Sequence, residues 1–339
     1  MRVSWVGVAC GAIALAALPS ALRAQRTHLL IVSGLGGEPQ YSEQFRSWGL
    51  SLVDVARKRY GMGDSDVVYL AEEGTKDPRI TGLSTKQNVE ATLTRFAQHS
   101  GAGDQIVLVL IGHGSGSEAD SKISLPGPDM SARDFARDLA VFKTQRVAFV
   151  DLTSASGDML PLLSGPNRVI ITATKSSFER NESVFAKYFV AALTNDGADV
   201  DKDGRVSLLE AYRYAVTETK RYYDDQSRLQ TEHAQLDDDG DKQGTAEPDA
   251  RVASADSDGA VARRVFLGGG TGAVTAGVAA NDPRLAALYK DRFAIEARID
   301  DLKKRKATLS SDAYDDQLEN LLVELALKAR EIRALEGRS

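Results

Sequence analysis

Ile106-Val-Leu-Val-Leu-Ile111, followed at once by Gly112-His-Gly-Ser-Gly116, is the stretch that decides the fold. A strand with one wet face alternates apolar and polar residues, whereas an unbroken apolar run is covered on both faces, as in the middle of a parallel sheet. Comparable runs occur at Leu29 to Ser33, Asp66 to Leu70, Arg146 to Asp151 and Arg168 to Thr172. Segments of helical period lie between them, at Ser42 to Tyr60, Thr85 to His99, Ala132 to Ala140 and Val184 to Leu193. This alternation predicts an α/β domain, a three-layer αβα sandwich with a mostly parallel sheet.

Ligands of such sheets bind beyond the carboxyl ends of the strands, so the residues just after each run carry the interest. They are Ser33-Gly-Leu-Gly-Gly37, Gly112-His-Gly-Ser-Gly116, Asp151-Leu-Thr-Ser-Ala-Ser-Gly157 and Thr172-Ala-Thr-Lys175, all expected on one rim. Of the four histidines, His28 opens a strand, His99 ends a helix and His233 lies in an acidic polar stretch. His113 alone sits where an α/β sheet places chemistry. A histidine base at one strand end facing the hydroxyls of Thr153, Ser154 and Ser156 at the next is an arrangement suited to nucleophilic catalysis.

The order strand, His113-Gly114, about forty residues, strand, and a small-residue loop resembles the caspase-like fold of clan CD cysteine peptidases, in its legumain-like branch. That family carries a catalytic His-Gly on the first loop and Cys-x-Ser-Gly-x-Met on the second. Here Ser154-Ala-Ser-Gly-Asp-Met159 matches with serine at the cysteine position, and Thr172-Ala-Thr174 is similar to the family's Thr-Ala stretch. The resemblance spans Thr27 to about Tyr223 and implies His113 and Ser154 as the catalytic positions, with Gly114 beside them. A serine hydroxyl needs a better-oriented base than a thiol does, usually one backed by a carboxylate. Asp151, Glu118 and Asp120 are the nearest acids in sequence, and no Gly-x-Ser-x-Gly elbow surrounds Ser154. The expectation is a catalytically inactive homologue that binds a peptide or protein partner; the alternative is a serine-dependent peptidase or hydrolase using His113 and Ser154.

Asp199-Val-Asp-Lys-Asp-Gly-Arg-Val-Ser-Leu-Leu-Glu210 meets every position of an EF-hand calcium loop. Asp199, Asp201 and Asp203 offer side-chain oxygens, Gly204 permits the sharp turn and Arg205 offers its carbonyl. Ser207 acts directly or through water, Glu210 closes the site with both oxygens, and Val206 faces inward. One calcium ion is the expected cofactor. A second acidic run, Asp237-Asp-Asp-Gly-Asp241, has ligand spacing without a closing glutamate and reads as a solvated acidic turn, with a second weak cation site as the alternative.

The ends differ from the middle. Residues 1–24 have a basic start at Arg2, an apolar run from Val6 to Leu18 and small residues up to Ala24, the layout of a secretory signal peptide. The run is too short to span a bilayer, which needs about 20 apolar residues. Export, to a periplasm or outside the cell, follows, with no membrane span after signal removal. The chain has 339 residues and one cysteine, Cys10, within that segment, so the mature chain has no thiol nucleophile, disulfide or thiolate metal site. A net charge of −6 argues against nucleic-acid binding.

Domain boundaries are expected at 25–243 for the α/β domain, 244–281 for a Gly, Ala and Asp-rich linker, and 282–339 for a helical hairpin. Within the linker, Ala262 to Leu267 suggests a short strand. Pro283 opens the hairpin, and apolar residues recur at Leu285, Leu288, Ile295, Ile299 and Leu302, then at Tyr314, Leu318, Leu321, Leu325, Ile332 and Leu335. Residues 283–338 are also a candidate homo-oligomer contact, which leaves a third reading, a cell-envelope scaffold.

Overall fold

The computed structural model describes residues 25–74, 77–117, 121–200, 205–248, 257–268 and 283–335. Residues 1–24, with the signal-like layout, lie outside the described residues, as do Glu118, Asp120, Asp201, Asp203 and Gly204. The elements in chain order are β1 (Thr27–Ser33), α1 (Pro39–Lys58), β2 (Val67–Ala71), β3 (Gly82–Leu83), α2 (Lys86–His99), β4 (Gln105–Ile111), β5 (Gly114–Ser115), β6 (Lys122–Ile123) and β7 (Met130–Ser131). They continue with α3 (Ala132–Leu139), β8 (Arg146–Asp151), α4 (Leu160–Leu163), β9 (Arg168–Thr172), α5 (Val184–Thr194), α6 (Leu208–Asp225), β10 (Gln235–Asp237), α7 (Pro283–Lys304) and α8 (Ser311–Leu335).

Seven strands form one sheet in the order β10-β9-β8-β4-β1-β2-β3, parallel except for β10, which runs antiparallel to β9. The reason for the apolar runs is visible in their alternation. Leu29, Ile31, Val107, Val109 and Ile111 pack under α1, α5 and α6. Leu30, Val32, Ile106, Leu108 and Leu110 pack on the other face, with Val89, Leu93, Phe135, Leu139 and Leu160 from α2, α3 and α4. The result is a three-layer α/β sandwich with a mostly parallel sheet, as the sequence predicts.

Helix starts are fixed chemically. Pro39 opens α1, the Thr85 hydroxyl accepts from Asn88 N–H at α2, and Ser131 with Asp134 forms a capping box at α3. At α5 the Ser183 hydroxyl accepts from Ala186 N–H, and a distant acid assists: the Glu232 carboxylate accepts from Val184 N–H (2.8 Å), Phe185 N–H (3.1 Å) and the Ser183 hydroxyl (2.9 Å).

The chain reverses its winding at β1 and β4. After β1 it passes through α1 on one face, and after β4 it passes to α3 on the other. Between the carboxyl ends of such strands the loops diverge and leave a crevice.

Two expectations change. Ala262 to Leu267 is not a strand: residues 262–264 make one turn of 3-10 helix, and Phe266 forms a single bridge to Ser207. Ala262, Val265 and Leu267 are nevertheless buried in the main core, and Gln105 Nε2 donates to the Phe266 carbonyl at 2.7 Å. A segment expected within the linker thus packs on the α/β domain; residues 249–256 and 269–282 lie outside the described residues. The second change is β10, which the acidic composition of its surroundings concealed.

The C-terminal helices form the expected hairpin. Ile295, Ile299, Leu302, Tyr314 and Leu321 make its own small core, while Tyr289 and Ile332 join the core of the α/β domain. Leu335, expected inside by its spacing, is about half exposed at 47%. No helix among the described residues is long and apolar enough to cross a membrane.

Candidate functional site

Because β1, β4, β8 and β9 are parallel neighbours, their four following loops do share one rim. His113 follows β4 at the crevice, and the three short strands β5, β6 and β7 brace it from behind. Ser124 N–H donates to the His113 carbonyl at 3.0 Å, and Leu35 N–H donates to the Ser124 carbonyl at 2.9 Å, so the rim loops after β1 and β4 are tied through one residue. The imidazole lies edge-on to two aromatic rings of α1, Tyr41 at 5.0 Å and Phe45 at 5.1 Å between centroids. It makes no hydrogen bond among the described residues. The aromatic partners carry no sequence signal of their own, since they face the histidine only through the packing of α1.

Ser154 is brought beside this loop but is turned to its backbone. The hydroxyl accepts from Gly114 N–H at 3.2 Å and faces the Gly114 carbonyl as donor at 3.3 Å. The residue is 3% exposed. The approach is so close that a Cβ on Gly114 would lie 1.9 Å from the Ser154 carbonyl oxygen. Gly114 is therefore required by contact, independent of any part in catalysis.

The other hydroxyls are equally committed. Ser156 Oγ lies 3.2 Å from Thr174 Oγ1 and accepts from Thr174 N–H at 3.2 Å, while Gly157 N–H donates to Thr174 Oγ1 at 3.0 Å. Thr153 donates to the Ser154 carbonyl at 3.2 Å. Ala155, with φ at +54°, holds a strained left-handed conformation. It is fixed by its N–H donating to the Glu179 carbonyl (2.8 Å) and by Ser121 donating to its own carbonyl (2.6 Å).

Asp151 does not back the imidazole. It is fully buried, Oδ1 accepts from Thr153 N–H at 2.9 Å, and Oδ2 has no hydrogen-bond partner among the described residues. Burial pushes its carboxyl up to about 7, and the Thr153 hydrogen bond offsets only part of that. His233, which the sequence placed in a polar stretch, instead meets Glu179, with Nδ1 2.6 Å from a carboxylate oxygen, beside the loop that holds Ala155.

A cleft of about 350 Å³ opens at the ends of β1 and β2; His113 does not line it, but Phe45, whose ring meets the imidazole, forms part of its wall. Among the described residues, Glu38, Glu43, Glu72 and Glu73 line it together with Arg46, which pairs with Glu43. Glu72 is held by Gly36 N–H at 3.1 Å and the Ser42 hydroxyl at 2.7 Å. Nearby, the charge of Glu182 raises the Tyr41 phenol above its usual range.

Of the expected calcium ligands, Asp199, Arg205, Ser207 and Glu210 are described. Ser207 and Glu210 form the capping box of α6: the Ser207 hydroxyl accepts from Glu210 N–H, and Glu210 Oε2 accepts from Ser207 N–H at 2.9 Å and Oγ at 2.8 Å. Glu210 Oε1 accepts from Val200 N–H at 3.0 Å, which draws the two ends of the loop together. Val206 is buried as expected, and the Arg205 guanidinium sits 3.9 Å from the Phe266 ring centroid. A different group of acids converges at the β10 edge of the sheet, where Leu236 also bridges to Thr245: Asp237, Asp239 and Asp258 each place one oxygen within 4.8 Å of the others.

Neither a known protein family nor a curated protein matches this chain.

Proposed function

We propose that this protein is an exported binding module on a peptidase-like α/β domain of the caspase and legumain kind, catalytically silent, which accepts a peptide or protein segment at the His113 rim. The observation that carries the reading is the Ser154 hydroxyl, which is engaged with the main chain of Gly114 and not with the imidazole. A serine acts as nucleophile only when a base takes its proton, and the base itself needs a fixed orientation. Here His113 meets the rings of Tyr41 and Phe45, and Asp151, three residues before Ser154, is buried and bonded to Thr153 N–H.

The cleft at the ends of β1 and β2, whose described walls include Glu38 and Glu72 without a paired Lys or Arg among the described residues, favours a segment that carries Lys or Arg. Calcium on the loop from Asp199 to Glu210 belongs to the same reading. Its support is the match of residue types, with the buried Val206 and the Ser207–Glu210 pairing at the start of α6.

A fluorophosphonate probe tests the silent rim, with no labelling expected. Labelling that disappears in both Ser154→Ala and His113→Ala would instead establish the serine hydrolase. Binding is read by fluorescence anisotropy with Lys-rich and Glu-rich peptides of equal length. The Lys-rich peptide binds more tightly, and the preference falls in a Glu38→Gln, Glu72→Gln double variant; equal binding of the two peptides refutes the cleft.

A further inference from the structure

Asp237-Asp-Asp-Gly-Asp241 lacks a closing acid in sequence, and the fold supplies one from elsewhere. Pairing of β10 with β9 sets Asp237 against Ile170 at the end of the sheet. The next residue, Asp238, is fully used in holding the 257–268 segment. Its Oδ1 accepts from Gly259 N–H at 2.9 Å, and its Oδ2 accepts from Val261 N–H at 2.8 Å and Ala262 N–H at 2.6 Å. In return Asp258 Oδ1 accepts from Asp238 N–H at 2.8 Å. This exchange brings Asp258 to the acidic turn.

Three carboxylates then meet with no described Lys or Arg paired to them. Asp237 is 1% exposed; its Oδ1 accepts from Gly240 N–H at 3.1 Å, and its Oδ2 is buried without a hydrogen bond of normal geometry among the described residues, the nearby Ser164 hydroxyl offsetting only part of the burial that raises its carboxyl. Asp239 and Asp258 are half-buried beside it. A buried carboxylate oxygen with no well-placed donor is costly, and like charges beside it add to the cost. A cation removes both terms at once.

We propose that Asp237, Asp239 and Asp258 form a calcium site at the β10 edge, built from two distant segments of the chain. The donor set is all oxygen, which selects a hard divalent cation and gives zinc or copper no nitrogen or sulfur ligand. Oxygens bound to calcium at about 2.3–2.6 Å lie at most about 5 Å apart, a limit that the three acids satisfy. The half-buried pair leaves an entry path and room for water to complete the shell. An ion here ties the 257–268 segment to the sheet edge.

Isothermal titration of calcium into the EDTA-treated full chain tests this site. Wild type binds two ions, and Glu210→Gln, which opens the 199–210 loop, still binds one. In the Glu210→Gln background, Asp258→Asn or Asp239→Asn weakens the remaining site by about tenfold or more. Each asparagine removes repulsion, so melting in EDTA stays level or rises, whereas a purely structural role would lower it. If Asp258→Asn fails to fold, the more open Asp239→Asn decides. Loss of all binding in Glu210→Gln overturns the edge site and leaves the loop. One ion in wild type, unaffected by Glu210→Gln and lost in Asp258→Asn, upholds the edge site and rejects the loop.

Discussion

The His113 rim and the β10 edge are both crowded with polar groups, but their hydrogen-bond accounts close differently. At the rim, the hydroxyls of Thr153, Ser154, Ser156 and Thr174 are satisfied by each other and by main chain. Among the described residues none of these hydroxyls is hydrogen-bonded to the His113 imidazole, and the loops are tied to one another. At the edge, Asp238 is satisfied and its neighbours are not, so negative charge accumulates beside a buried oxygen. A residue pattern that resembles catalysis can therefore be a packing solution, while a run that resembles a solvated turn can leave an open coordination shell.

Asp151, whose Oδ2 has no hydrogen-bond partner among the described residues, departs from this, and replacing it should give the largest effect. Its folded carboxyl, at about 7, lies above the usual value, so the folded state binds more protons than the unfolded chain and stability falls as pH rises through that window. Asp151→Asn removes the share of the dependence that Asp151 contributes. At about pH 8 the variant gains up to about 4 kcal/mol over wild type, and the two converge near about pH 4. Urea unfolding across that range measures it, and a wild-type profile that stays flat would contradict the burial argument.

A Gly114→Ala variant tests the contact between rim loops, because the new methyl meets the Ser154 main chain rather than a flexible side chain. The expected loss is about 3 kcal/mol in unfolding free energy. If stability is unchanged, the loops are looser than described and the Ser154 hydroxyl is free to turn.

At the edge, Asp238→Ala leaves three N–H groups of the 257–268 segment without their acceptor. It should cost about 2 kcal/mol in EDTA and raise hydrogen exchange at Gly259, Val261 and Ala262. Exchange that rises equally at the rim would show the two regions unfolding together.

The smallest effect is expected from calcium itself. At about ten times its dissociation constant, each site adds about 1.4 kcal/mol, seen as a rise in melting temperature. His113→Ala should leave that rise unchanged, because the rim is separate from both acidic regions.

The legibility of these regions followed the range of the interactions. Runs such as Ile106 to Ile111 mark inner strands because covering both faces demands apolar residues at every position, a constraint written locally. Caps at Thr85, Ser131, Ser183 and Ser207 are local too, as is the His113 position after β4. By contrast, the short β5, β6 and β7 and the polar β10 carry no period long enough to read. Phe45 and Tyr41 look like ordinary apolar positions of α1 until the fold sets them against the imidazole. Glu232 looks like a surface acid until it caps a helix 47 residues away.

The sequence by itself determined the α/β layers, the shared rim, the hairpin and the EF-hand-like residue pattern, because each depends on neighbours within a few turns or on alternation along one strand. Only the tertiary structure decided that Ser154 faces Gly114, that Asp151 is turned inward, and that Asp258 completes the acids of β10. Those outcomes depend on which loops approach within hydrogen-bond distance across 20 to 40 residues of chain. Residue identity specifies what a group is able to bond; packing specifies which partner reaches it first.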